Sequence, residues 1–452
     1  MSTATKKKSS SQNGDLKWWQ LALIGVGCTI GTGYFLGSSI GISITGPSIV
    51  FSFLLAAAGT YIVFNLLAKM SAADPQEGSF CYYAEKAFGK WAGFSCGWNY
   101  WCSSILIMGS QLIALSILTQ LWFPDLPLWM FAAIYSLLSI TVILFGTKGF
   151  DKVENIFAVI KLAAIIMFIV IAIVALFGLI AGGPENQPGV PKSMDKLFHE
   201  GLTGFWASLI YAFYSFGGIE VIGLMTIRLK NKEDAPKAGK IMLTVLTIIY
   251  ILSLGLAVTM VSVSAFDQNE SPFVTALAEY KLAFFPHLFN AAIIIAGFST
   301  MTAALFGVVT LLVTLAKDGD APDIFSKKIK KWKDLPLPSL ILATIGLLVS
   351  VITALLLPNK IYEYITTAAG ILLLINWAFI IISSLKVLKD LKAKHKVIAF
   401  TGLLLIAAAV TGTLFEKTIR PGFWISLLLL AIIGGITLWM NRHWKTSKKP
   451  PA

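Results

Sequence analysis

The chain has 452 residues, 56% of them hydrophobic and 13% charged, with a mean hydropathy of +0.78. Soluble globular proteins carry about 25% charged residues, so this composition excludes a disordered chain, a coiled coil and an ordinary soluble enzyme. The net charge of +13 takes its meaning from where the basic residues fall.

The segment MSTATKKKSSSQNGD is polar and basic and leads into an apolar run without a small-residue cleavage signal, which reads as an uncleaved first span. Apolar runs follow near 18–41, 48–70, 91–122, 128–147, 154–182, 203–227, 241–264, 285–316, 338–357, 361–385, 397–415 and 422–441. Each is long enough to cross a bilayer as a helix, which takes about 20 residues. The runs are continuous rather than alternating, so helices are preferred to barrel strands. The expectation is an all-α integral membrane protein with 12 transmembrane helices. With the N-terminus inside, 29 of the 36 Lys and Arg residues fall on the cytoplasmic side. That bias predicts an even number of crossings with both termini cytoplasmic. It also accounts for the basic pI without nucleic acid.

Two spans carry glycine clusters at mid-membrane depth. Span 1 reads Gly25-Val26-Gly27-Cys28-Thr29-Ile30-Gly31-Thr32-Gly33, and span 6 reads Tyr214-Ser215-Phe216-Gly217-Gly218-Ile219-Glu220. Glycine weakens a helix by about 1 kcal/mol relative to alanine, so both stretches are places to unwind. Freed backbone groups are tolerated at that depth only where they line a cavity or bind something. N–H groups at one break suit a carboxylate and carbonyls at the other suit an ammonium, so the pair suits a zwitterion. Interrupted spans at corresponding places in two halves point to a secondary-transporter site. Close helix packing is the competing reading, because Gly27-xxx-Gly31 and Gly33-xxx-Gly37 fit the small-xxx-small pattern.

Two charges lie well inside spans. Lys161 is a functional candidate by its depth, although it lies near enough to the span end to reach water. Glu220 follows the span 6 break, where it can titrate, bind a substrate cation or brace the unwound backbone. Cys28, Cys81, Cys96 and Cys102 show no CxxC spacing, and the four histidines form no metal set. No cofactor is implied, and no GxxxxGK[ST] loop suggests ATP-driven transport. A channel would need filter rings, and a membrane enzyme would need paired acids or an activated nucleophile. None is apparent.

Several motifs in order resemble the amino acid–polyamine–organocation (APC) superfamily, and within it the amino acid transporter subfamily of bacteria and fungi. They are Ile30–Gly37 in span 1, Gly97–Trp101 in span 3, Glu154–Lys161 in span 5 and Phe216–Glu220 in span 6. Leu315–Pro322 with Pro336–Pro338, and Asn376-Trp377 with Ser383–Lys386, complete the set. The resemblance implies a five-plus-five inverted-repeat (LeuT-like) fold with two extra C-terminal helices. The units would be a tail at 1–17, a first repeat at 18–182, a second at 203–385, two helices within 397–441 and a tail at 442–452. It implies a substrate carboxylate at Ile30, Gly31, Thr32 and Gly33, and an ammonium at the carbonyls of Thr29, Tyr214, Ser215 and Gly217. Phe213, Tyr214 or Phe216 would form an aromatic lid. Lys161, with neighbours Ser299, Thr300 and Thr302, would stand in for a sodium ion and couple a proton. The implied partners are an amino acid, a proton and the lipid bilayer of the cell membrane. The implied activity is uptake of a neutral L-amino acid by proton symport. Exchange, a cationic substrate and a non-transporting sensor on the same scaffold remain open. Two departures stand out. Gln111 occupies the usual place of a glutamate in span 3, and after span 6, where the family reads Gly-Glu-Ala-x-x-Pro, the chain reads Ile227–Lys232 with Arg228 in place of the acid.

Overall fold

A computed structural model describes residues 16–76, 78–144, 146–184, 187–267, 270–329, 335–356, 361–388 and 392–446. Most of both predicted tails (1–15 and 447–452), the side chains of Lys148 and Lys152, and Lys330, Lys331, Lys333, Lys360 and Lys389 lie outside the described residues.

The first apolar run is broken into α1 (Trp18–Thr29), α2 (Thr32–Phe35) and α3 (Gly37–Thr45). After Gly46-Pro47-Ser48 come α4 (Ile49–Ala73) and a short α5 (Ser79–Phe88). Gly89, at φ 92°, ends α5 and opens α6 (Lys90–Gln120), a conformation that favours glycine. Next are α7 (Leu128–Leu144), α8 (Gly146–Leu176) and the single turn α9 (Met194–Leu197). The sixth run is broken into α10 (Gly201–Tyr214) and α11 (Ile219–Met225). Then follow α12 (Ala235–Met260), α13 (Pro272–Leu277) and α14 (Phe285–Lys317), each with proline in its first turn, where a missing N–H removes no helical bond. The chain ends with α15 (Leu337–Leu356), α16 (Ile361–Val387), α17 (Ala393–Gly412) and α18 (Arg420–Thr446). Among the described residues there is no strand, only isolated bridges such as Leu16 with Leu229. The helix starts correct the expected span 5: α8 begins at Gly146, eight residues before the predicted boundary, so Glu154 lies within a helix.

Burial separates centre from rim. The apolar windows of α6 and α16 are 78% buried and that of α14 is 72% buried, against 28% for α17 and 17% for α18. The outer helices show rows of exposed apolar side chains such as Phe400, Leu404, Leu428 and Trp439. In water such rows would be unfavourable, and they suit contact with lipid. The chain is a multi-pass membrane protein.

The centre is held by polar contacts that set helix direction. Asn290 Nδ2 donates to the Leu118 carbonyl at 2.8 Å at one end of the α6–α14 pair, and Lys90 Nζ donates to the Asp318 carbonyl at 2.7 Å at the other. The two helices are therefore antiparallel. On α16, the Leu372 and Ala369 carbonyls accept from Asn99 Nδ2 at 2.8 Å and Ser103 Oγ at 3.0 Å. Just past α14, Lys90 Nζ stands 3.2 Å from Asp320 Oδ1. Burial pushes the Asp320 carboxyl up to about 6 despite that ammonium.

Candidate functional site

Both glycine-rich stretches are unwound. Ile30 (φ −73°, ψ 106°) and Gly31 (φ −145°, ψ −164°) are extended between α1 and α2. Residues 215–218 form turns between α10 and α11, with Gly218 at φ 107°. The glycines also allow close approach. A Cβ on Gly31 would stand 2.6 Å from Thr300 Oγ1, one on Gly33 would stand 2.7 Å from the Tyr214 ring, and one on Gly218 would stand 2.6 Å from the Cys28 carbonyl. Packing and unwinding, the two readings left open by the glycine pattern, therefore coexist.

At the first break the Ile30 N–H is bonded to the Val26 carbonyl at 3.0 Å, whereas the next three N–H groups are free among the described residues and the Gly31, Thr32 and Gly33 carbonyls are taken. The Tyr34 and Phe35 N–H groups close onto the Gly31 carbonyl at 3.1 and 3.2 Å. Among the described residues the N–H groups of Gly31, Thr32 and Gly33 meet no acceptor, and the buried Thr32 Oγ1 has no partner. Tyr362 Oη donates to the Thr32 carbonyl at 3.2 Å and Ser215 Oγ to the Gly33 carbonyl at 3.0 Å. The Thr29 hydroxyl turns back onto the Gly25 carbonyl at 2.8 Å.

At the second break the donors are taken. Gly217 N–H bonds the Tyr214 carbonyl at 2.9 Å, and Tyr250 Oη donates to the Ser215 carbonyl at 3.2 Å. Each of those carbonyls keeps a second lone pair. Glu220 lies 3% exposed and accepts from Gly218 N–H at 3.2 Å, Tyr100 Oη at 3.3 Å and Trp377 Nε1 at 3.3 Å. Its carboxylate braces the turn, and three donors from the protein already occupy it.

Between the breaks lies a cavity of about 60 Å³, lined by Thr29, Gly31, Gly33, Tyr214, Gly217 and Glu220. It holds roughly four or five water-sized groups. Cys28, Gly218 and Val221 border it too, and the facing wall comes from Tyr100, Ser104, Ile107 and Gln111 on α6 and Thr300, Ala303 and Ala304 on α14. Tyr100, Ser104, Ala303 and Ala304 belong to the helix halves nearer Lys90 and Lys317, whereas Thr300 and Gln111 lie at or past the midpoints. The opposite side is sealed by aromatic rings. Tyr34 stacks on Tyr250 with centroids 3.9 Å apart, and Phe35, Phe53, Phe273 and Phe289 pack around them.

Of the three lid candidates only Tyr214 lines the cavity, its hydroxyl 3.0 Å from Ser110 Oγ. Phe213 packs toward Trp377, and Phe216 joins Phe53 and Tyr250. Lys161 is fully buried and donates to the Gly27 carbonyl, so it does not reach water as the competing reading required. Its expected neighbours separate. Thr300 faces Gly31 and donates to Gln111 Oε1, whereas Ser299 donates to Glu154 at 2.8 and 2.9 Å. Thr302 accepts from Ser139 on α7 at 3.2 Å, away from Lys161. From the sequence, Glu220 is expected to be the sole carboxylate within a span. Glu154 (1% exposed) and Glu363 (7% exposed) correct this. Gln111, singled out in span 3, lines the cavity, and Tyr100 and Ser104 join it there without having been marked as site residues, although small and polar side chains recurring along span 3 are a usable signal.

Residues 20–449 match the family described as amino acid permease. An uncharacterized transporter of Bacillus subtilis (strain 168), YcgH, is 54% identical over 96% of this chain and 96% of its own. The aromatic amino acid transport protein AroP of Corynebacterium glutamicum is 31% identical over 94% of this chain and 89% of its own. A gamma-aminobutyric acid permease of Bacillus subtilis (strain 168) is 28% identical over 98% and 97%. The facing breaks, the lipid-facing rim and a match along nearly the whole length place this chain in the amino acid permease family of the APC superfamily.

Proposed function

We propose that the protein is a secondary active transporter that imports a small neutral L-amino acid across the cell membrane by proton-coupled alternating access. One observation carries the reading: two interrupted helices face each other across a small cavity, and on one side the N–H groups of Gly31, Thr32 and Gly33 have no acceptor among the described residues. The substrate carboxylate would sit on those groups and on the Thr32 hydroxyl. The ammonium would take the carbonyls of Thr29, Tyr214, Ser215 and Gly217, with Ile30 shaping the extended backbone and Tyr214 as the lid. The cavity volume favours a short side chain. The bonds that occupy Glu220 disfavour a cationic one.

In this reading the chain crosses the bilayer 12 times. The broken first run and the eleven that follow supply the crossings, with both termini cytoplasmic by the Lys and Arg bias. Spans 1–5 (18–182) and 6–10 (203–385) are the inverted repeats, and the cavity then opens to the cytoplasm beneath an outer aromatic seal. Lys161 couples the proton: its ammonium holds the Gly27 carbonyl of α1 against α8, in the place of a sodium ion. Reconstitution in proteoliposomes tests this. Radiolabelled neutral amino acids should accumulate when the outer solution is made acidic, and the concentration should not rise above equilibration without the gradient. Gradient-independent one-for-one exchange alone would replace symport with antiport, and no uptake of any amino acid would end the transport reading.

A further inference from the structure

Glu154 is unused by the site as described, yet it is as deeply buried as Lys161. The two residues lie seven positions, or two turns, apart on α8, so they project from one face. Both converge on one residue of α1. Lys161 Nζ donates to the Gly27 carbonyl, and Glu154 Oε2 stands 3.2 Å from the place a Cβ on Gly27 would occupy. From α14, Ser299 Oγ reaches both carboxylate oxygens, at 2.9 and 2.8 Å. The carboxylate is thus anchored to α14 and pressed against α1 at the residue whose carbonyl holds the ammonium. A buried charge persists where opposite charge and hydrogen bonds surround it. The other titratable group facing Lys161 is the Cys28 thiol of α1.

We propose that Glu154 is a positioning residue: with Ser299 it fixes the Lys161 ammonium on Gly27 and so seats α1 against α8 and α14. The consequence for transport rests on the coupling reading of Lys161 above. The seating itself does not, and Cys28, buried on α1 beside Gly27, reports it directly. In the purified full-length protein, the rate of N-ethylmaleimide modification of the Cys28 peptide is followed by mass spectrometry. Glu154→Gln and Lys161→Ala should raise that rate tenfold or more, and Glu154→Asp should stay within threefold of wild type. Ser299→Ala should raise it several-fold, which keeps the test open if Glu154→Gln does not fold. Wild-type rates in Glu154→Gln, or in Ser299→Ala where Glu154→Gln cannot be made, overturn the proposal. So does equal modification of the Asp and Gln variants.

In proteoliposomes Glu154→Gln should lose pH-driven accumulation of radiolabelled L-alanine at least tenfold while keeping exchange of L-alanine within threefold. Loss of both together would reveal a merely structural carboxylate. If Lys161→Ala accumulates L-alanine normally while Glu154→Gln still exposes Cys28, the coupling reading falls and the seating stands.

Discussion

Removing the Lys161 ammonium takes away the donor that holds the Gly27 carbonyl across a helix–helix contact. Lys161→Ala should therefore abolish pH-driven accumulation in proteoliposomes, and normal accumulation would dismiss the residue from coupling. Just past the Lys317 end of α14 a different acid sets a different dependence. The Asp320 carboxyl binds its proton more tightly in the folded chain, near pH 6, than at its ordinary value of 3.8. Its contribution to stability is full below about pH 4 and lost as the pH rises through 6. Asp320→Asn should consequently melt a few degrees above wild type at pH 7.5, with the difference closing toward pH 4. A constant difference across thermal unfolding scans would refute the linkage. Lys161 and Glu220 could be picked out because a charge in an apolar run is conspicuous. Glu154 could not, because it sits at the polar start of the run, and only the early beginning of α8 draws it inward. Thr302 misled for a related reason. Three residues along a helix is not a whole turn, and the offset turns it from the face of Ser299 toward Ser139.

The two broken helices make the demand on glycine specific. Gly218 holds a left-handed conformation and faces the Cys28 carbonyl, so Gly218→Ala combines about 1–2 kcal/mol of backbone strain with a clash. Its melting temperature should fall by several degrees. Gly31→Leu also clashes, its Cβ alone 2.6 Å from Thr300 Oγ1, and should both lower the melting temperature and remove amino acid binding. Isothermal titration with the transported amino acid checks this, and undiminished affinity would move the site elsewhere. Both breaks were legible because glycine clusters interrupt otherwise continuous apolar runs. The short α5 and α13 were not, since an amphipathic helix of ten residues or a proline-led turn leaves no trace in a hydropathy reading.

Across the whole molecule, the cavity is walled on one side by small and polar side chains and closed on the other by stacked rings. Tyr34→Ala removes the ring at the middle of that seal. With the proposed orientation, in right-side-out vesicles it should let a membrane-impermeant maleimide reach Cys28 at least tenfold faster, and an unchanged rate would overturn the seal as an outer closure. The all-helical architecture with its long apolar helices and the crowded centre follow from the pattern of apolar runs. The seal does not, because its rings come from five distant segments and aromatic residues are common throughout the chain. One contact has a wider effect. The Ser215 hydroxyl crosses from one unwound stretch to the Gly33 carbonyl of the other, so neither kink can shift without tugging its twin. A visitor lacking the acid group, such as L-alaninamide, would grasp only one of the tethered pair. It should slow L-alanine entry by occupying the berth, yet remain uncarried itself.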